Sequence, residues 1–433
     1  MKPETKKILI ISYYWPPAGG PGVQRWLKFV KYLPEFGWEP TVFIPENPSY
    51  PIVDETLQKD VPKNLKMIKT KIWEPYQLAE KFGKDNKKFK AGQFDVGDNQ
   101  SWKAKLSIFV RGNFFIPDAR VFWVKPSVEF LEKYLKANHY DVLVTTGPPH
   151  SLHLIGLGLK KKIPNLKWIA DFRDPWTEIS YYKHLKLTKF ADKKHRNLEE
   201  QVFLNADITL ATSYTDAENF KKKGANAFCI TNGFDLEVGS QKSEVGRSGK
   251  FTLSYIGVLE QLRNPEILWE TLNDLLSENK DFAKDFELKF VGRLDDKISQ
   301  KIDSSLLRNH LLNLGYQTHD KALEEMQNSS VLLMTNFPQE SSKGIIPGKI
   351  FEYLATGKTI LSFGPKDADV EKILSETKAG KHFGYNEKES LKQFILNSYQ
   401  NWKSGNIENN AENIEQFSRK NLTKNLVDLL NQL

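Results

Sequence analysis

The chain has 433 residues, with 62 Lys and Arg against 54 Asp and Glu, for a net charge of +8. That length exceeds one ordinary hydrophobic core and predicts two domains of about 200 residues each. A hydrophobic share of 39% with 12% aromatics excludes a disordered chain, and the single cysteine, Cys229, excludes an internal disulfide or a thiolate-rich zinc site. No apolar run approaches the roughly 18 residues of a membrane span. Met1–Lys7 leads straight into an apolar strand rather than through a secretory leader. The expectation is a cytoplasmic protein, or one resting on the inner face of the cell membrane. The basic balance suits anionic partners: nucleotide-sugars, lipid phosphates, a membrane surface or nucleic acid. Charge does not choose among them.

The first forty-five residues read as strand, glycine-rich loop, helix and strand. Ile8–Ser12 is a continuous apolar run, as in a buried parallel strand. Trp15–Gly22, with three prolines and three glycines, predicts a non-helical loop. Val23, Trp26, Leu27, Val30 and Leu33 then form a helical stripe over Val23–Phe36. Gly37 ends it, and Thr41–Ile44 is the next strand. Further strands are predicted at Asp141–Thr145, Lys167–Ala170, Asp207–Leu210 and Ala227–Thr231. Such βαβ units predict a parallel sheet with helices on both faces. Glu237–Lys250 is polar and reads as a linker. A second alternating series has strands at Phe251–Ile256, Glu287–Val291, Val331–Met334 and Thr359–Ser362. The tail from Asn410 to Leu433 is predicted helical, with Leu422, Leu426, Leu429 and Leu430 on one face.

The predicted fold class is therefore α/β, with two doubly wound Rossmann-like domains, 1–237 and 251–409, joined by a linker over 238–250. The helix 410–433 is expected to pack back toward the first domain. Ligands of such sheets sit outside the carboxyl ends of the strands. The loops at Gly19–Gly22, Gly147–His150, Asp171–Trp176, Gly257–Arg263, Gly292–Arg293 and Pro347–Lys349 all follow strands, which predicts one central cleft.

Lys343–Leu361 is the most informative stretch. A Gly/Pro-rich loop runs into a short apolar helix, which Gly357 breaks ahead of a strand. Free backbone N–H groups at a helix N-terminus favour an anion. Lys349 stands in the first turn, where the helix dipole favours an acid, so a bound anion would account for it. Glu352, one turn on, shares its face. An anion seat beside a carboxylate suits a nucleotide-sugar; a capped helix with a solvated Lys and Glu is the plain alternative.

Taken together, the Gly19-Gly20 loop, Tyr255-Ile-Gly257 with Arg263, Phe290-Val-Gly-Arg293 and Pro347-Gly-Lys-Ile-Phe-Glu-Tyr-Leu-Ala355 resemble the GT-B glycosyltransferases. The similarity is greatest to the retaining enzymes of family 4. Ala170–Trp176 and Asn232–Asp235 resemble segments of bacterial enzymes of surface-polysaccharide assembly. The resemblance spans essentially the whole chain. It implies metal-independent transfer of a sugar from a nucleotide-sugar to a glycan or lipid-linked glycan, with no cofactor and no metal. By position it implies Arg263 at the donor diphosphate and Glu352 at the ribose hydroxyls. It places Gly292 and Arg293 at the start of the base-binding loop, and Gly19 and Gly20 where backbone approaches phosphate and acceptor. It implies an acceptor on 1–237 and the donor on 251–409, with Gly257 at the donor, and Arg263, Lys349 and loop amides are the candidates to carry the charge that develops on the leaving diphosphate. Two departures stand out. Counting eight residues back from Glu352 (352 − 8 = 344) reaches Gly344 where the family carries a second acid, and Val258 replaces a common basic residue after Gly257. Sugar contacts are then expected from backbone N–H groups of Lys343 to Ile346.

His150 opens a helix after a strand, where a histidine can take an acceptor proton; a solvated or capping histidine is the alternative. Asp171, Arg173 and Asp174 follow a buried strand directly, so Asp171 is a candidate for acid–base work against a local ion-pair network. The segment 102–125 mixes Trp102, Lys103, Lys105, Phe109, Arg111, Phe114, Phe115, Arg120, Phe122 and Trp123. A surface of this kind can contact an anionic membrane, or its aromatics can pack inward. A basic stretch at Lys84–Lys90 precedes it. A catalytically silent GT-B protein that binds nucleotide-sugar or carbohydrate is the competing reading. A nicotinamide enzyme is disfavoured, because Gly19-Gly20-Pro21-Gly22 is not G-x-G-x-x-G, and no nucleic-acid-binding module is present.

Overall fold

A computed structural model describes residues 5–75, 102–179, 182–235, 249–405 and 411–433. The basic stretch Lys84–Lys90 and most of the expected linker lie outside these residues. The chain forms two compact units, one of residues up to Thr231 together with Arg419–Leu433, the other Asn232–Ser418.

The first unit carries seven strands: β1 (Lys6–Ile11), β2 (Trp38–Pro45), β3 (Lys66–Thr70), β4 (Val142–Gly147), β5 (Lys167–Phe172), β6 (Ile208–Ala211) and β7 (Ala227–Cys229). Their order is β3-β2-β1-β4-β5-β6-β7, all parallel. Residues alternate between two cores along each strand. Leu9, Ile11, Phe43 and Leu143 join one, and Ile8, Ile10, Val42, Ile44, Val142 and Val144 the other. Helices therefore cover both faces, which is why the central strands read as unbroken apolar runs. The C-terminal helix Arg419–Leu430 lies in this unit. Its Leu422, Leu426, Val427 and Leu430 enter the second of those cores, each burial contributing about 1.5–3 kcal/mol before entropy.

The other unit has six parallel strands, β8 (Phe251–Ile256), β9 (Phe286–Val291), β10 (Leu311–Asn313), β11 (Val331–Thr335), β12 (Thr359–Phe363) and β13 (Gly380–Phe383), in the order β10-β9-β8-β11-β12-β13. In both sheets the chain order reverses beside the first strand of the unit, between β1 and β4 and between β8 and β11. Those are the switch points at which open α/β sheets bind ligands.

Three local expectations change. The loop after β1 gives way to a helix at Pro21, not Val23, because proline is suited to a first turn that needs no N–H. That helix ends at Tyr32, and Leu33–Phe36 tightens into a 3-10 turn around Pro34, closed by left-handed Gly37. In the described part of the tail, the helix proper starts only at Arg419, after a separate turn at Ile414–Phe417.

Candidate functional site

In the second unit the loops after β8 and β9 are laced together by backbone bonds. Gly257 N–H donates to Val291 O (2.7 Å), Arg293 N–H to Gly257 O (3.1 Å) and Leu259 N–H to Arg293 O (2.9 Å). This close approach explains Gly292: with φ +128°, a Cβ there would stand 2.2 Å from the Gly257 carbonyl oxygen. Gly257, also at positive φ, faces Lys349, whose Nζ would be 3.1 Å from an added Cβ.

Lys349 begins the helix Lys349–Thr356, which starts at Gly348 without a side-chain cap. Its ammonium folds back onto the end of β8, donates to Ile256 O (2.8 Å) and lies 4.3 Å from the centre of the Tyr255 ring. Burial lowers its pKa and Arg263 pushes the same way, while Tyr255 and Glu352 oppose. Arg263 follows β8 on a short 3-10 turn. It donates through Nη2 to Val258 O (3.1 Å) and Glu260 (3.2 Å), and lies over the Phe337 ring at 5.4 Å. Its Nε is buried and has no partner among the described residues. Lys349, Arg263, Gly257, Gly292 and Glu352 thus gather at the carboxyl end of this sheet, beside the β8/β11 switch point. The Arg293 side chain is exposed.

The backbone seat at Lys343–Ile346 is half occupied by its own turn. Lys343 N–H donates to Glu340 O and Ile345 N–H to Ser342 O. The N–H groups of Gly344 and Ile346 are the two left without a bond to a described residue. Glu340 pairs with Lys343 at 2.7 Å.

In the first unit, Gly19 N–H donates to Ile52 O (2.9 Å), and an added Cβ would press on Ile52 at 2.9 Å. Gly20, at φ +96°, heads the helix Pro21–Tyr32 without a side-chain cap and with nothing within 4 Å of an added Cβ, while the Arg173 guanidinium lies against Gly22 in the first turn. Asp171 ends up buried at the last turn of β5 and wholly engaged. Its carboxylate accepts from Arg25 Nη2 (2.9 Å) and Nε (3.1 Å), Trp26 Nε1 (2.7 Å) and the Thr146 hydroxyl (2.8 Å). Burial raises this carboxyl, but Arg25, Trp26 and Thr146 outweigh it and hold it below the ordinary carboxylate value. Arg25 also donates to Ile230 O and Thr231 O. With no free oxygen, Asp171 has the geometry of a tie between β4, β5 and the first helix. Asp174, three residues on, is exposed.

His150 is buried, stacked on Trp176 at 5.2 Å with the rings 4° apart, and neither ring nitrogen has a partner among the described residues. Burial, then His153 and Arg173, drive its pKa well below the ordinary value. It is neither capping nor solvated. His153, which sequence reasoning passed over, sits one turn on. Trp168 Nε1 donates to the Thr145 hydroxyl (2.9 Å), which also lies 2.9 Å from His153 Nδ1, while His153 Nε2 has no partner among the described residues. Burial holds His153 at about 3. Both imidazoles are neutral at pH 7.

Sequence reasoning also missed the cluster of Tyr13, Glu74 and Arg120. Tyr13 OH donates to Glu74 (2.8 Å), and Arg120 pairs with Glu74 at 3.2 Å, all buried. Glu74 sits between regions with no shared pattern, so no sequence signal marks it. In the segment 102–125, Trp123 and Ile116 are buried, while Trp102, Phe114 and Phe122 are exposed. No described helix is long and apolar enough to cross a membrane. Among the described residues no group of three or more His, Cys, Asp or Glu is placed to hold a metal ion.

No protein-family model matches the sequence, and no curated protein is significantly similar to it. Solved structures are similar over nearly the whole chain. Anabaena HepE, in complex with UDP and glucose, is 13% identical with a TM-score of 0.57, over 99% of this chain and 100% of that one. A Rickettsia africae glycosyltransferase is 13% identical with a TM-score of 0.59, over 99% and 98%. The sucrose-phosphate synthase of Thermosynechococcus elongatus is 14% identical with a TM-score of 0.58, over 99% and 98%. The fold is that of the GT-B glycosyltransferases: two Rossmann-like units with parallel sheets of seven and six strands.

Proposed function

We propose that the chain is a glycosyltransferase that moves a sugar from a nucleotide-sugar to a hydroxyl of a glycan or lipid-linked glycan in surface-polysaccharide assembly. The observation that carries this is the convergence of Lys349 and Arg263 on the Gly257 turn at a switch point. In the reaction the bond between the anomeric carbon and the diphosphate oxygen breaks, and the nucleoside diphosphate leaves with the electron pair. The acceptor oxygen bonds to that carbon and gives up its proton. Negative charge grows on the diphosphate, where preorganised cations and backbone donors stabilise the transition state most. Lys349, Arg263 and the open N–H groups of Gly344 and Ile346 supply them, so the reading needs no metal. Glu352 accepts from the ribose hydroxyls. In the retaining form the departing diphosphate takes the acceptor proton; the resemblance to family 4 is what supports retention. A lipid-linked acceptor would bring the exposed Trp102, Phe114 and Phe122 toward an anionic membrane.

The test is donor turnover by purified protein across a panel of nucleotide-sugars. Arg263→Ala is expected to lower turnover by about 100-fold, the scale of a lost preorganised donor. Glu352→Gln is expected to weaken donor binding while leaving the melting midpoint nearly unchanged. Wild-type rates in both variants would move the diphosphate seat elsewhere. Gly344, in place of an acid, favours a second reading: a silent protein that binds nucleotide-sugar without transfer. Tight binding with no turnover and no donor hydrolysis would select it.

A further inference from the structure

We propose that the nucleoside diphosphate site takes up a proton as it fills, and that Lys349 receives it; this rests on the donor-site reading above. The argument begins with where the ammonium has been put. Most lysines keep their charge in water, but Lys349 reaches back across the start of its helix to lie on the Tyr255 ring and the Ile256 carbonyl. An ammonium has three N–H donors; Ile256 O takes one and the Tyr255 side chain engages another. The groups around it are Tyr255 from β8, Arg263 from the loop after β8 and Glu352 from its own helix. Arg263 is permanently charged, is tied to Val258 O and Glu260, and keeps a buried Nε without a partner among the described residues. Two cations therefore share a partly dry corner, with Glu352 acting on Lys349 and the more exposed Glu260 paired with Arg263. Dryness and the guanidinium both disfavour the ammonium form.

A phosphate dianion set against Lys349 and Arg263 reverses the sign of the local field and favours the ammonium again. Binding and protonation are then linked, and the linkage is reciprocal. Between the lysine's free and bound pKa values the complex holds more protons than its separate parts. Over that interval the affinity for the anion falls as pH rises, by at most about tenfold per pH unit for one proton. The window opens below the ordinary lysine value of about 10.4. The ligand's terminal phosphate, with a second pKa of about 6, is already ionised there.

Titration calorimetry of the full chain with UDP, GDP and ADP tests this, at about pH 9 in two buffers of different ionisation enthalpy. For whichever diphosphate binds, the expected result is net uptake of a fraction of a proton and a Kd that rises from about pH 8 to pH 10. Lys349→Arg, whose guanidinium stays charged, should bind without uptake and with a Kd flat over that range. Lys349→Met should lose uptake and bind more weakly; circular dichroism melts of both variants report whether they fold. Wild-type binding with no proton exchange overturns the proposal and leaves the donor site standing. Undiminished uptake in folded Lys349→Arg overturns the assignment to Lys349. Failure of all three diphosphates to bind overturns the donor-site reading, and the proposal with it.

Discussion

Asp171→Asn separates a structural tie from a catalytic acid. The substitution keeps the shape of the side chain but replaces one oxygen with an NH2 group facing Arg25. The oxygen that remains can serve Trp26 or Thr146, whereas the guanidinium, buried with its Nη2 2.9 Å from Asp171, loses its counter-charge. Removing one partner of a buried pair costs about 3–5 kcal/mol, because the remaining charge stays desolvated. In a domain of this size each kcal/mol lowers the midpoint by about 2–4 °C, so a fall of about 6–20 °C is expected in the transition of the first unit. Differential scanning calorimetry reads it. Replacing the pair together, by Arg25→Met with Asp171→Leu, should recover part of the loss, since no charge is then stranded. Donor turnover is measured well below the lowered midpoint, and there Asp171→Asn should keep near wild-type kcat. An unchanged midpoint with kcat lower by about 100-fold or more, the scale of a lost acid or base, would refute the tie and return Asp171 to the chemistry.

Two further outcomes follow from the site geometry. Gly292→Ala must place a methyl group against the Gly257 carbonyl at a φ that L-residues avoid. Strain of about 1–3 kcal/mol is expected, with weaker donor binding because the Gly257 turn moves; unchanged affinity by calorimetry would show that the two loops are not coupled. Acid sensitivity should come partly from His153, held at about 3 by burial against about 6.5 in the unfolded chain. The unfolded chain binds the extra proton between those values. The contribution is therefore fully present above about pH 6.5 and is lost as pH falls toward 3, by up to about 1.4 kcal/mol per pH unit. His153→Gln should flatten the urea midpoint against pH between about pH 6.5 and 4.5, and an identical slope would count against a neutral buried imidazole.

The sequence was most legible where apolar runs are continuous. The strands at Ile8–Ser12, Thr41–Ile44 and Phe251–Ile256 all lie in sheet interiors, where both faces are covered. The strands it hid are β3, β10 and β13, with sequences KMIKT, LLN and GKHF. Each is an edge strand, short and partly exposed, and β3 and β13 carry lysines, as edges that avoid mispairing do. Gly257, Arg263, Gly292, Lys349 and Glu352 could be brought together from order alone, because parallel strands place every following loop on one rim. Their partners could not. Nothing near Lys349 in the chain points to Tyr255, and nothing near Asp171 points to Arg25, 146 residues away. Such pairings depend on register and depth, which a linear pattern does not carry. His150 drew notice for its place at a helix start, while its stacking on Trp176 is a tertiary fact.

The return of Arg419–Leu430 to the first unit has a consequence for biosynthesis. Leu422, Leu426, Val427 and Leu430 complete a core whose strands Ile8–Ile11 and Val42–Ile44 are made before the whole of the second unit. Trp26, Leu27 and Val30 cover part of that face at once, and the rest waits for Arg419–Leu430. The second unit, Asn232–Ser418, is contiguous and has all its strands before Arg419. Domains generally fold as they appear, N-terminal first. In this chain the inserted half can close its core while the half that began first is still waiting for its final helix.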